Sequence, residues 1–322
     1  MIRGEMTAEG EVKKKRSGFD KKKTSERLFL TILFAFPVLQ FIVFYICVNI
    51  NSILLAFKTY DSSVSEYYFS GLNNFREVWR VFSSDSMLLG ATWRGMIFYL
   101  FSTFVGMPLH LLVAYLLYKR IFCSDFFRTV LFIPSLISSI AMVIMFQNFL
   151  NEGITELIIK WFQVDEYEVP RFFTDPDIAF PVMIFFTLWS GVGGGMIIYM
   201  SAMSRVPVSV IEYGRLEGIS LLREFISVIF PMIYPTVALF FVTGLTGLFM
   251  SSGPLYSFYG DGVQPEMQTL GYYLFTRVIG ENATYEQYPF ASAVGLTITL
   301  VTAPLVFLMR KLVNRFDPNV EY

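Results

Sequence analysis

The run from Leu28 to Phe57 reads LFLTILFAFPVLQFIVFYICVNINSILLAF, thirty residues without one charged side chain. As a helix it would rise about 45 Å, more than the roughly 30 Å of bilayer hydrocarbon. A single lysine or aspartate at the centre of such a helix costs about 2.5 to 3.5 kcal/mol, so the absence of charge carries the reading. Working outward, five more stretches have the same character: Trp93 to Tyr118, Val130 to Leu150, Ile178 to Met200, Val228 to Met250 and Tyr288 to Met309. Arg94, near the start of the second stretch, is their one charge. The sequence therefore predicts an all-α polytopic membrane protein with six transmembrane helices.

The composition of the 322 residues agrees, with 54% apolar and 16% charged, more greasy surface than one soluble core can hide. A net charge of −1 supplies no basic field for a nucleic-acid backbone. Basic residues divide unevenly between the two sets of connecting segments, eighteen against seven, with the larger set on both tails and on the loops around Lys119 and Arg215. By the positive-inside rule both termini are cytoplasmic. Residues 1–27 are read as a flexible basic tail, residues 28–309 as the six-span domain, and residues 310–322 as a short cytoplasmic tail. The basic stretch from Lys13 to Lys23 resembles the start of a signal peptide, but the apolar run behind it is about twice too long for one, so the first span is read as uncleaved.

Between the fourth and fifth predicted spans, residues 201–227 form a loop that includes Val206-Pro207-Val-Ser-Val-Ile-Glu212-Tyr-Gly-Arg-Leu-Glu217-Gly218-Ile-Ser220. Pro207 suits a helix start, where its missing N–H costs nothing. Tyr213, Leu216, Ile219 and Leu222 recur every three residues, which predicts a short amphipathic helix. Gly218 permits a turn or a close approach that a side chain would block. An amphipathic segment of this kind either lies on lipid headgroups or docks to a partner.

The segment resembles the EAA loop of the inner-membrane permeases of binding-protein-dependent ABC importers. Glu212, Gly218 and Pro231 match that signature's glutamate, glycine and closing proline, and Glu217 stands at a commonly acidic position. The two alanines are replaced by Tyr213 and Gly214, and the small residue after the glycine by Ile219. Further similarity to maltose-type and glycerol-phosphate-type sugar permeases lies in Gly71-Leu-Asn73-Asn-Phe75, in Phe127-Arg128 through Pro134, in Gln268-Thr269-Leu-Gly-Tyr and in Ala291-Ser-Ala. The resemblance implies a coupling helix, with Glu212, Tyr213, Gly214, Arg215, Glu217, Gly218 and Ile219 meeting a cytoplasmic ATPase. It also implies alternating access, a second homologous permease in a heterodimer, two ATPase subunits that bind the ATP and magnesium, and an extracellular solute-binding lipoprotein. The implied cargo is a carbohydrate; the loop signature by itself leaves an amino acid or peptide open.

No phosphate-binding G-x-x-x-x-G-K-[ST] occurs, so no ATP site or other cofactor site is expected in this chain. Gly191 and Gly195 lie four apart on one helix face, a spacing that allows close helix packing. A sugar path needs hydroxyl-bonding groups and aromatic faces, for which Gln147, Asn148 and Trp189 are the candidates inside spans. Tyr256, Tyr259 and Asp261 are candidates to meet the delivering protein. A membrane-embedded transferase would need clustered acidic, histidine or cysteine residues, whereas His110 is the one histidine and stands within a span. A secondary transporter would show an intramembrane ionisable residue and an internal repeat, and neither is evident.

Overall fold

The structure is a computed structural model and describes residues 26–318 except residue 282. The tail expected over residues 1–27 falls, but for its last two residues, outside the described residues. Among the described residues five helices are long and apolar enough to cross a membrane, α1 (Glu26–Leu55), α3 (Ser86–Tyr118), α6 (Pro176–Met203), α8 (Leu221–Gly247) and α11 (Gln287–Arg315), and the bent pair α4 (Ser124–Leu136) and α5 (Ser139–Phe162), taken as one span, makes the sixth. Shorter elements join them: the hairpin β1 (Lys58–Asp61) and β2 (Glu66–Phe69), then α2 (Asn73–Ser84), α7 (Val208–Leu216), α9 (Leu255–Tyr259) and α10 (Leu270–Ile279). The tail drawn over residues 310–322 begins inside α11, which runs on to Arg315.

The third crossing departs from expectation. In place of one helix from Val130 to Leu150, two helices meet at 109°. Ile137 leaves the helix in an extended conformation, ψ 144°, and Ser138 restarts it as an N-cap whose hydroxyl accepts from the Ala141 N–H. Pro134, one turn upstream, has already removed a helix hydrogen bond. The fifth crossing also starts earlier than Val228: α8 begins at Leu221, so the predicted loop 201–227 shrinks to residues 204–220 between helices. A wide π turn at Phe225–Ile229 precedes Pro231, while Pro235 and Pro304 sit within unbroken helix.

Two cores occupy opposite ends of the bundle. At one end Leu111, Tyr115, Met196, Met203, Ile229 and Ile233 pack together; at the other Met142, Phe146, Met183, Phe186, Phe258 and Tyr272 do so. Helix α1 has no fully buried residue, as suits a helix that turns much of its surface to lipid or a partner.

The motifs outside the loop hold the ends of crossings together. Asn74 is buried and donates to the carbonyls of Ala56 and Lys58 at 2.8 and 2.6 Å, which closes the end of α1. Arg94 donates to the carbonyls of Gln268 and Pro265 at 2.8 and 3.2 Å, so the one charge inside a predicted span is satisfied by backbone. Thr269 caps α10, accepting from the Tyr272 N–H at 3.2 Å. A side chain at Gly271 would run into the Met250 carbonyl.

Candidate functional site

The loop that follows α6 is anchored by two buried residues, Val206 and Ile211, which join the core made by α3, α6 and α8. Pro207 stands just before α7, and its carbonyl accepts the Val210 N–H at 3.2 Å. Helix α7 carries Glu212, Tyr213, Gly214 and Arg215 and ends at Leu216. Gly218 then takes φ +69°, the left-handed conformation that costs other residues most, and the Ile219 N–H reaches back to the Gly214 carbonyl at 3.3 Å. Ser220 caps α8, its hydroxyl accepting from the Arg223 N–H.

The predicted apolar row is divided by that turn. Tyr213 and Leu216 stand on α7, while Ile219 and Leu222 belong to the turn and to α8. The row does not face the core: Leu216 is 84% exposed and Tyr213 71%, with Val208, Leu221 and Leu222 also open. Glu212, Glu217 and Gly218 are exposed beside them. Ile211, absent from the predicted row, is the residue that turns inward. An apolar face rimmed by carboxylates, on a short helix pinned through its other side, is a surface built to be covered.

The two departures from the EAA signature meet in space. A methyl at position 214 would lie 2.7 Å from the Ile219 Cδ1, so the large Ile219 fits because Gly214 has no side chain. Positions 214 and 219 are the two that a Schellman turn brings together. Gly214→Ala is therefore expected to lower uptake modestly, since the end of a flexible side chain can yield, and Gly214→Ala with Ile219→Ala is expected to restore it. Uptake per folded transporter measures both, and equal losses in the single and double variants would contradict the packing.

At this same end α3 is tied to α8. Lys119 Nζ lies 2.6 and 2.9 Å from the Glu224 carboxylate oxygens, with the side chains 9% and 3% exposed. The Tyr115 hydroxyl donates to the Leu221 carbonyl at 2.9 Å, and its ring packs on Phe225 at 4.9 Å. In the sequence Lys119 reads only as a basic flank, and Glu224 shows no role. A lone acidic residue inside Leu-Leu-Arg-Glu-Phe-Ile was the available signal.

The candidate path residues are partly brought together. The Gln147 amide donates to the Phe258 carbonyl at 3.4 Å, and Trp189 stacks on Phe146 with centroids 6.0 Å apart, so both border one aromatic nest. Asn148 is exposed on the far side of α5 from the buried Phe146. None of the three lines the cavity of about 820 Å³ at the loop end, which is bounded by Leu117, Arg120, Arg128, Met200 and Ser204. Among the residues assigned to the delivering protein, Tyr259 and Asp261 are engaged inward. The Tyr259 hydroxyl donates to the Phe173 carbonyl at 2.9 Å and burial pushes its pKa up to about 12, while Asp261 accepts the Glu281 N–H at 2.7 Å. Tyr256, packed on Phe275 at 4.9 Å, keeps an exposed edge.

Residues 106–322 match the family described as the binding-protein-dependent transport system inner membrane component. The multiple sugar-binding transport system permease MsmF of Streptococcus mutans is 22% identical over 285 residues, 87% of this chain and 93% of that protein. The lactose transport system permease LacF of Rhizobium radiobacter is 24% identical over 282 residues, 86% and 91% of the two chains. A chain of a bacterial ABC transporter that imports the acidic polysaccharide alginate superposes with a TM-score of 0.74 at 17% identity, covering 92% of this chain and 98% of its own.

Proposed function

The chain belongs to the binding-protein-dependent transport system inner membrane components, and on that premise we propose that it is the translocation subunit of an ATP-driven carbohydrate importer whose ATPase docks on α7 and Gly218. It is a multi-pass protein of the bacterial plasma membrane and works with a solute-binding protein; its family translocates and does not catalyse. The observation that carries the docking reading is the loop's two-sidedness: Val206 and Ile211 are buried while Tyr213 and Leu216 stand open between Glu212 and Glu217. Force applied to that face passes into α6 at one end of the loop and α8 at the other. The eighteen-to-seven division of basic residues supports a cytoplasmic position for this end and for both termini.

Carbohydrate as cargo is supported by the named sugars of the relatives, among them lactose and arabinooligosaccharides. Gln147, Asn148 and Trp189 are proposed to line its path, with Trp189 offering a ring face and Gln147 the carbonyl oxygen of the amide whose nitrogen is bonded to Phe258. The exposed helix α1 supports pairing with a second, homologous permease as a heterodimer. Two ATPase subunits, which bind the ATP and magnesium, close beneath the pair, and the helices expose the path outward and then inward.

Detergent-solubilised protein is expected to carry an ATPase through purification. Glu212→Ala is expected to weaken that association about tenfold or more, the value of one charge-assisted hydrogen bond. If no ATPase co-purifies and Glu212→Ala leaves uptake intact, the docking reading fails.

A further inference from the structure

The Lys119 and Glu224 pair differs in kind from the other ion pairs among the described residues. Those two, Arg80 with Glu77 and Lys160 with Glu156, join neighbours on one exposed helix face. Lys119 and Glu224 are 105 residues apart, nearly out of contact with solvent, and bonded through both carboxylate oxygens. Lys119 caps the C-terminus of α3 and Glu224 lies in the first turn of α8, where the helix dipoles favour a cation and an anion respectively. A buried pair of this sort is seldom the most stable filling for its space, because apolar residues of the same size avoid the desolvation cost. What it supplies is a fixed direction and distance between two helix ends.

Those ends stand at a mechanically distinctive place. Glu224 follows Gly218 by six residues, directly beyond the turn where α7 hands over to α8. The Tyr115 to Leu221 hydrogen bond and the Tyr115 to Phe225 ring contact brace the same two turns. On its other side α3 packs along α6, with the His110 ring seated against Gly191 and Gly195. Displacement of the loop therefore reaches α8 through the chain, and this brace is the polar, directional link that carries it from the start of α8 to α3, beside the non-directional apolar packing of Val206 and Ile211.

We propose that Lys119 and Glu224 are positioning residues for coupling: their ion pair yokes α3 to α8 so that movement of the docked loop drives both spans together. The proposal rests on the docking reading above. Single replacement strands a buried charge and lowers the folded yield, so the test uses pairs: Lys119→Met with Glu224→Leu, and the exchange Lys119→Glu with Glu224→Lys. The complete transporter is reconstituted in proteoliposomes with its binding protein, and cargo taken up per ATP hydrolysed is measured. The apolar pair is expected to fold and to retain the ATPase, yet to lose uptake per ATP by about fivefold or more, the lower end of typical coupling between sites. The exchanged pair is expected to recover part of that loss. A merely structural pair would change the amount of folded transporter and leave the ratio untouched. If the apolar pair keeps the wild-type ratio while Glu212→Ala releases the ATPase, the yoke is wrong and the docking reading stands. If no ATPase accompanies the wild-type chain, the docking reading fails and the yoke fails with it.

Discussion

Gly218→Val is expected to abolish uptake while the six-crossing bundle still folds. Gly218 has φ +69°, and a methyl built there meets nothing within 4 Å, so the cost of substitution is conformational and owes nothing to crowding. A non-glycine residue in the left-handed region costs about 1 to 2 kcal/mol, and a β-branched one is a more severe outlier. The chain can escape that strain only by releasing the Ile219 to Gly214 hydrogen bond that ends α7, which re-aims Glu217 and the start of α8. The bundle can hold while the turn strains, because it is anchored on both sides of it, by Val206 and Ile211 before and by the Tyr115 and Lys119 contacts to Leu221 and Glu224 after. A docked partner does, since strain of about 1.4 to 3 kcal/mol on the competent shape weakens association by roughly ten- to a hundredfold. Asparagine tolerates the left-handed region better than alanine, and alanine better than valine. Uptake is expected to fall from the wild type through Gly218→Asn and Gly218→Ala to Gly218→Val, with ATPase retention falling in parallel and membrane abundance held. Equal behaviour of Gly218→Asn and Gly218→Val in both assays would show that the backbone conformation is not what the site requires.

Local rules account for what could be read directly. The run from Leu28 to Phe57 becomes α1 up to Leu55 because it carries no charge, and the helix passes Pro37 and a π turn at Phe41–Cys47 without breaking; Gly218 turns where a glycine was needed. The break in the third crossing was hidden, because Ile137 and Ser138 look like any apolar and small pair within a span. What breaks the helix is the extended backbone of one and the capping hydroxyl of the other. The early start of α8 was hidden for a different reason. Arg223 and Glu224 read as loop residues, and only Lys119, 105 residues away, turns the Glu224 charge into a buried helical one. Long-range partners of this sort leave no mark in a window of neighbours. The fit of Ile219 over Gly214 lay within reach, since a Schellman turn brings those two positions together. The path residues were chosen by type alone, and type does not tell an amide tying α5 to α9, as in Gln147, from one free for a sugar.

The three consecutive glycines of α6 are expected to respond to alanine in three different ways. At Gly193 a methyl would run into the carbonyl oxygen of Leu131 and stand 3.0 Å from the Phe132 Cα, and a backbone wall cannot rotate aside. Gly193→Ala must therefore push α4 off α6, at a cost of about 1 to 3 kcal/mol or more, and Gly193→Val is expected to leave little folded protein. At Gly194 a methyl meets nothing, so Gly194→Ala is expected to be neutral or to stabilise by up to about 1 kcal/mol through helix propensity. At Gly195 a methyl would run into the His110 Nδ1 and lie 2.5 Å from its Cγ, an obstacle made of side chain. Gly195→Ala is expected to destabilise, and His110→Ala in the same chain is expected to relieve most of that loss, because the clash needs both partners. The same His110→Ala should give Gly193→Ala no relief, since its obstacle is the backbone of α4. Thermal unfolding of the purified transporter in detergent ranks all of these variants in one experiment. Reading Gly191 and Gly195 as a packing face from their spacing identifies the groove that receives His110, but spacing could not single out Gly193, whose constraint comes from the bent third crossing. A Gly194→Ala variant as damaged as Gly193→Ala would mean that α4 and α6 do not meet as described.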